Sequence, residues 1–86
     1  MPKGSLSPAA VTILRFFLDN PHSIDTPRGV SAWTNIPLAE TRRILEDLSK
    51  KEILAAYRTS STVGYSLTEN QKLLKSVQEF VKKHAP

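Results

Sequence analysis

At 86 residues the chain forms one domain with room for a single modest core, and it is too short for two. Its 12 Lys plus Arg against 8 Asp plus Glu give a net charge of +4 and an isoelectric point near 9.7, a mild bias toward polyanionic partners. The absence of cysteine excludes disulfides, zinc–cysteine sites and thiol chemistry.

Hydrophobic content of 40% is that of a folded globular chain, and the positive charge is spread along it rather than gathered in a basic tail. The opening "MPKGSLSPAA" has no apolar region of signal-peptide length, and no apolar run is long enough to span a bilayer. A cytoplasmic protein without membrane contact is expected. Residues 1–6 read as a loose terminus and 7–86 as a single domain.

Ser7-Pro8 predicts a helix start, with serine as N-cap and proline at the first helical position, where its missing N–H costs nothing. Ala10, Ile13, Leu14, Phe17 and Leu18 then recur at three- and four-residue steps and make one apolar face. Pro21 ends this helix, because the residue before a proline is pushed out of helical conformation. Ile24 stands alone among polar neighbours and predicts a brief extended segment that sends one side chain into the core. Thr26-Pro27 repeats the capping pattern and opens a short helix to about Trp33 or Thr34, weakened by Gly29.

"NIP" is a turn. From Leu38 a stronger helix follows, with Thr41, Ile44, Leu45 and Leu48 on one face and Glu40, Arg42, Arg43, Glu46, Asp47 and Lys50 on the others. "EILAAYRT" and "GYSLT" switch to alternation around the small polar "SSTV", which predicts a hairpin over about 53–68 with Tyr65 and Leu67 inward. Tyr57 and Phe16 are expected in or near the core. Thr68-x-x-Gln71 reads as a capping box for a last helix over about 69–84, with Leu73, Leu74, Val77, Phe80 and Val81 as its apolar stripe.

Three segments carry a family resemblance. "VSAWTNIPLAETRRILEDLSKKEIL" is similar to a helix–turn–helix ending in Leu-x-x-x-x-Ile-Leu, "ILAAYRTSSTVGYSLT" resembles a wing hairpin, and "YSLTENQKLL" resembles the strand-to-helix junction Tyr-x-Leu-Thr-x-x-Gly-x-x-Leu. Together they resemble the winged helix-turn-helix domain of transcriptional regulators of the MarR-like and ArsR-like sort, over about Val11 to Leu74. The resemblance implies a mostly helical α+β fold: three N-terminal helices, a two-stranded β-hairpin wing and a C-terminal helix. The chain departs from the pattern at Glu52 and Gln71, where glycine is common, and at Thr34, where a buried leucine is common.

In such a domain the helix from Leu38 is the recognition helix. Ala39, Glu40, Arg42 and Arg43 are left free to face the major groove, where arginine can donate two hydrogen bonds to guanine. Thr26, Arg28, Ser31 and Lys50 are candidate contacts to the DNA backbone, and Arg58, Ser60, Ser61 and Thr62 are candidate wing contacts. Against this stands a plainer reading, a solvated face with Arg42–Glu46 and Arg43–Asp47 pairs at i, i+4 spacing. The partners implied are double-stranded DNA and a second copy joined through the C-terminal helix. The alternative is a winged-helix module that binds a protein through the mixed charges around Glu46 and Asp47. His22 and His84 lie in a turn and near a terminus, so no catalytic set, cofactor or metal is expected.

Overall fold

The computed structural model describes residues 7–84, and the expected loose terminus over 1–6 lies outside them. Four helices and one hairpin follow in the order α1 (Pro8–Asp19), α2 (Pro27–Thr34), α3 (Leu38–Lys50), β1 (Leu54–Arg58), β2 (Val63–Leu67) and α4 (Gln71–His84). The N-terminal caps form as expected: the Ala10 N–H donates to Ser7 Oγ, and the Gly29 N–H donates to Thr26 Oγ1. At the end of α1 the Asn20 side-chain amide donates to the Phe16 carbonyl at 2.8 Å and closes the last turn before Pro21.

Two other junctions use left-handed residues. Asn35, at φ 62°, ends α2, a conformation asparagine tolerates better than most residues. Its turn is clamped at one atom: Ser31 Oγ from α2 and Thr41 Oγ1 from α3 both donate to the Ile36 carbonyl. Glu52, at φ 64°, ends α3. There the Ile53 N–H bonds Leu48 O and the Glu52 N–H bonds Ser49 O, the two bonds of a Schellman cap, which places Glu52 at the position where glycine is usual. Glu52→Gly is therefore expected to raise stability by about 0.5–1 kcal/mol, less than the full left-handed penalty because glycine also loosens the unfolded chain. Urea titration of the two proteins measures it; a loss of stability would contradict this account of the cap.

The hairpin is antiparallel, with Leu54 opposite Leu67, Ala56 opposite Tyr65 and Tyr57 opposite Gly64. Leu54, Tyr65 and Leu67 turn inward, while Tyr57 points outward and is exposed, contrary to its expected place near the core. The register decides this, because side chains alternate faces and Leu54 claims the inner one. The expected extended segment exists as one residue: Asp25 and Tyr65 exchange both backbone hydrogen bonds at 2.8 Å. That pairing turns Ile24 to the outer face, where it is exposed and lies over Gly64, so the expectation that Ile24 enters the core is corrected.

Helix α4 starts two residues later than the range expected from sequence. Asn70 Oδ1 caps the Leu73 N–H, and the Thr68–Gln71 box does not form, because Thr68 still belongs to the hairpin through its N–H bond to Ile53 O. The core gathers Ile13, Leu14 and Phe17 of α1, Val30 of α2, Leu45 and Leu48 of α3, and Tyr65 of β2, with Val77 and Val81 of α4 closing it over α1. Among the described residues no helix is long and apolar enough to cross a membrane, and no group of side chains is arranged to hold a metal ion.

Candidate nucleic-acid interface

The core face of α3 is completed by Thr41, Ile44, Leu45 and Leu48, so its polar residues are turned outward. Arg42, Arg43 and Ala39 are exposed, and Glu40 is half-buried in the first turn, where a carboxylate suits the positive end of the helix. The i, i+4 pairs of the plainer reading do not form. Asp47 instead pairs with Lys51, and Glu46 reaches across to Arg58 of the wing at 3.7 Å. Orientation accounts for the first choice: an acid placed N-terminal to a base at i, i+4 complements the helix dipole, whereas Arg42–Glu46 and Arg43–Asp47 run the other way. Among the described residues Arg42 and Arg43 therefore carry no ion pair.

An open cleft of about 570 Å3 lies between the helix-turn-helix and the hairpin. Thr26, Pro27 and Arg28 enter it from the start of α2, Arg42 from α3, and Arg58, Thr59, Ser61, Thr62 and Val63 from the hairpin. Its three charged lining residues are all arginines, one from each element, and no carboxylate lines it. The positive end of α2 opens on the same space and adds to its potential. Glu46 touches this cleft only through its contact with Arg58, and both side chains are more than half exposed, so the pair is weak.

The other candidates fall elsewhere. Arg43 and Lys50 line a shallower hollow of about 390 Å3 along α3 with Arg42, Glu46 and Asp47. The Ser31 hydroxyl proton is committed to the Ile36 carbonyl, so its first role is to fix the angle between α2 and α3. Ala39, Glu40 and Ser60 line neither the cleft nor this hollow. Thr59 escaped the sequence reading. It shapes the wing tip by accepting the Thr62 N–H at 3.1 Å on its hydroxyl, and its own N–H donates to Thr62 O. Its place directly after the last basic residue of β1 was the available signal. Behind the cleft, burial pushes the Tyr65 phenol above its ordinary value, with the Glu46 carboxylate adding to this and Arg58 opposing it.

No protein-family model matches the chain, and no curated protein does. Solved structures decide the fold. The ferric uptake regulator of Francisella tularensis superposes with a TM-score of 0.74 at 19% identity, over 81% of this chain and 58% of its own. The fold is a winged helix-turn-helix.

Bordetella bronchiseptica BpsR, whose DNA binding is regulated by 6-hydroxynicotinic acid, superposes at 0.70 and 21% identity, over 96% of this chain and 67% of its own. The zinc-responsive MarR family member ZitR of Lactococcus lactis gives 0.67 and 21%, over 96% of this chain and 56% of its own. The chain thus spans little more than half of the Francisella and Lactococcus proteins. In winged-helix terms α2 and α3 are the helix-turn-helix and β1–β2 the wing, which puts the arginine cleft between α3 and the wing.

Proposed function

We propose that this protein binds double-stranded DNA in a sequence-specific manner as a transcriptional regulator, with α3 in the major groove. The observation that carries the reading is the cleft in which Arg28, Arg42 and Arg58 converge from three elements with no carboxylate among its lining residues. A guanidinium presents a rigid fork of donors that matches phosphate oxygens and the guanine edge. In this reading Arg42 and Arg43 reach base edges, with Ala39 and Glu40 beside them. Thr26, Arg28 and Lys50 hold the backbone, Ser31 sets the helix angle behind them, and Arg58 with the Ser60–Thr62 tip seats the wing. A cytoplasmic location and a homodimer belong to the same reading, since two copies present two α3 helices to successive major grooves about one helical turn apart.

Selection from random duplex DNA, followed by titration of the enriched sequence at increasing salt, tests it. With about three phosphates neutralised per protomer by Arg28, Lys50 and Arg58, log affinity is expected to fall with log salt at a slope near −3 per protomer. No duplex binding at low salt would refute the proposal. The other reading is a protein-docking face around Glu46 and Asp47, which share their hollow with Arg42, Arg43 and Lys50. Charge reversal at both positions separates the two: it should leave duplex binding intact or strengthen it, and abolish such docking.

A further inference from the structure

The wing tip carries a run of four hydroxyls, Thr59, Ser60, Ser61 and Thr62, all exposed and directly after Arg58. The Thr59 hydroxyl is occupied: it donates to Thr62 O and accepts the Thr62 N–H at 3.1 Å. Among the described residues the hydroxyls of Ser60, Ser61 and Thr62 make no hydrogen bond. Short polar side chains are ordinary in a turn. The position of Ser61 is more specific, because it lines the arginine cleft whereas Ser60 does not. It also has Arg58 three residues before it, a charge mark of the kind by which serine kinases choose their substrates.

A phosphoryl group on the Ser61 oxygen enters the space where Arg28, Arg42 and Arg58 converge. It brings about −1.5 to −2 of charge at pH 7 and three strong acceptor oxygens, set against three guanidinium forks. No carboxylate lines the cleft to repel it, and the positive end of α2 opens on the same space. Glu46 is its one acidic competitor. That carboxylate holds Arg58 only at 3.7 Å in an exposed pair, so a dianion takes the arginine from it.

We infer that Ser61 is a phosphorylation site whose phosphate folds back into the arginine cleft and excludes duplex DNA. A serine kinase that reads Arg58 transfers the γ-phosphoryl group of a nucleoside triphosphate. The bond from Ser61 Oγ to phosphorus forms as the bond from phosphorus to the β,γ-bridging oxygen breaks. Nucleoside diphosphate leaves, and the hydroxyl proton passes to the kinase's base. The tip is accessible to such an enzyme, because it is exposed and its own hydrogen bonds all run to or from Thr59, so it opens without disturbing the β1–β2 pairing. Arg28, Arg42 and Arg58 then give to the phosphoserine the contacts that the proposed function gives to DNA. The exclusion of DNA rests on that function; the docking of the phosphate in the cleft does not.

The whole chain carrying phosphoserine at position 61, made by incorporation during synthesis, tests the docking without DNA. In a phosphorus NMR titration its phosphate should take up its second charge at lower pH than the phosphate of the same chain phosphorylated at Ser60, since nearby cations favour the dianion. Arg28→Ala combined with Arg42→Ala should erase that difference. On the selected duplex, phosphorylation at Ser61 should weaken binding at least about tenfold and make the salt slope shallower by about one to two. A phosphatase should restore both, and phosphorylation at Ser60 should cost clearly less. An arginine-directed serine kinase with nucleoside triphosphate should modify the unmodified protein at Ser61, and Arg58→Ala should prevent it. Three results would overturn the inference: equal titration of the two phosphates, equal loss of duplex binding for the two, and a kinase reaction that leaves Ser61 bare. Absence of duplex binding by the unmodified protein would count against the proposed function instead, and the titration and the kinase reaction would still decide whether Ser61 is modified and docked.

Discussion

Arg42→Ala is expected to weaken binding to the selected duplex by about 1–3 kcal/mol, roughly 5- to 150-fold, and to relax the base preference at one position. Arg42 is singled out over its neighbour by geometry. It lines both the cleft and the hollow along α3, whereas Arg43 lines only the hollow beside Glu46 and Asp47. Because those two carboxylates are drawn to Arg58 and Lys51, Arg42 meets DNA with its charge unspent. Arg58→Ala should behave differently. A backbone contact carries no sequence information, so all duplexes should weaken alike and the salt slope should become shallower by about one. Fluorescence anisotropy with the selected duplex and a scrambled one measures both effects. Equal loss on the two duplexes for Arg42→Ala would remove it from base reading and leave it a phosphate contact.

Phe17→Ala is expected to cost about 3–5 kcal/mol of stability. Phe17 is fully buried in the core cluster that also holds Ile13, Val30 and Leu45, and Phe16 meets it edge-on with ring centroids 5.3 Å apart. Helix α1 packs against α2, α4 and β2, so the space left by the Phe17 ring cannot be closed by the movement of one side chain. Small domains hold only about 5–15 kcal/mol in all. At about 4–8 °C per kcal/mol, the melting temperature should fall by more than 10 °C. Phe16→Ala, one residue away but half-buried, should cost clearly less. Calorimetry of the two variants checks the order, and a loss below about 1 kcal/mol for Phe17 would mean that α1 is not the centre of the core.

Interactions that reach only a few residues along the chain are legible in the sequence, and those between distant segments are not. Ser7-Pro8 and Thr26-Pro27 started helices where expected, since a cap is a contact between residues three apart. The apolar spacing of α1 and α3 named their core faces correctly for the same reason: helical periodicity is local. Thr68 was misread because its competing partner, the Ile53 carbonyl, lies across the hairpin and leaves no mark on the residues around it. Ile24 and Tyr57 were misplaced because their faces are set by register against β2, and a shift of one residue exchanges inside for outside.

The candidate site divides along the same line. That α3 would present Arg42 and Arg43 followed from Thr41, Ile44, Leu45 and Leu48 taking the inner face. The preference of Asp47 for Lys51 over Arg43 follows from local i, i+4 orientation, but nothing local to α3 shows that Glu46 turns to Arg58, twelve residues away. Nor did any short stretch contain the cleft, whose arginines stand at positions 28, 42 and 58 and meet only when the wing folds beside the helix-turn-helix. Element order, caps and core faces were therefore legible in the chain, because hydrogen bonds between near neighbours and helical spacing decide them. Which charges are neutralised, which aromatic side chain is left outside and where the arginines converge were decided by packing between distant segments.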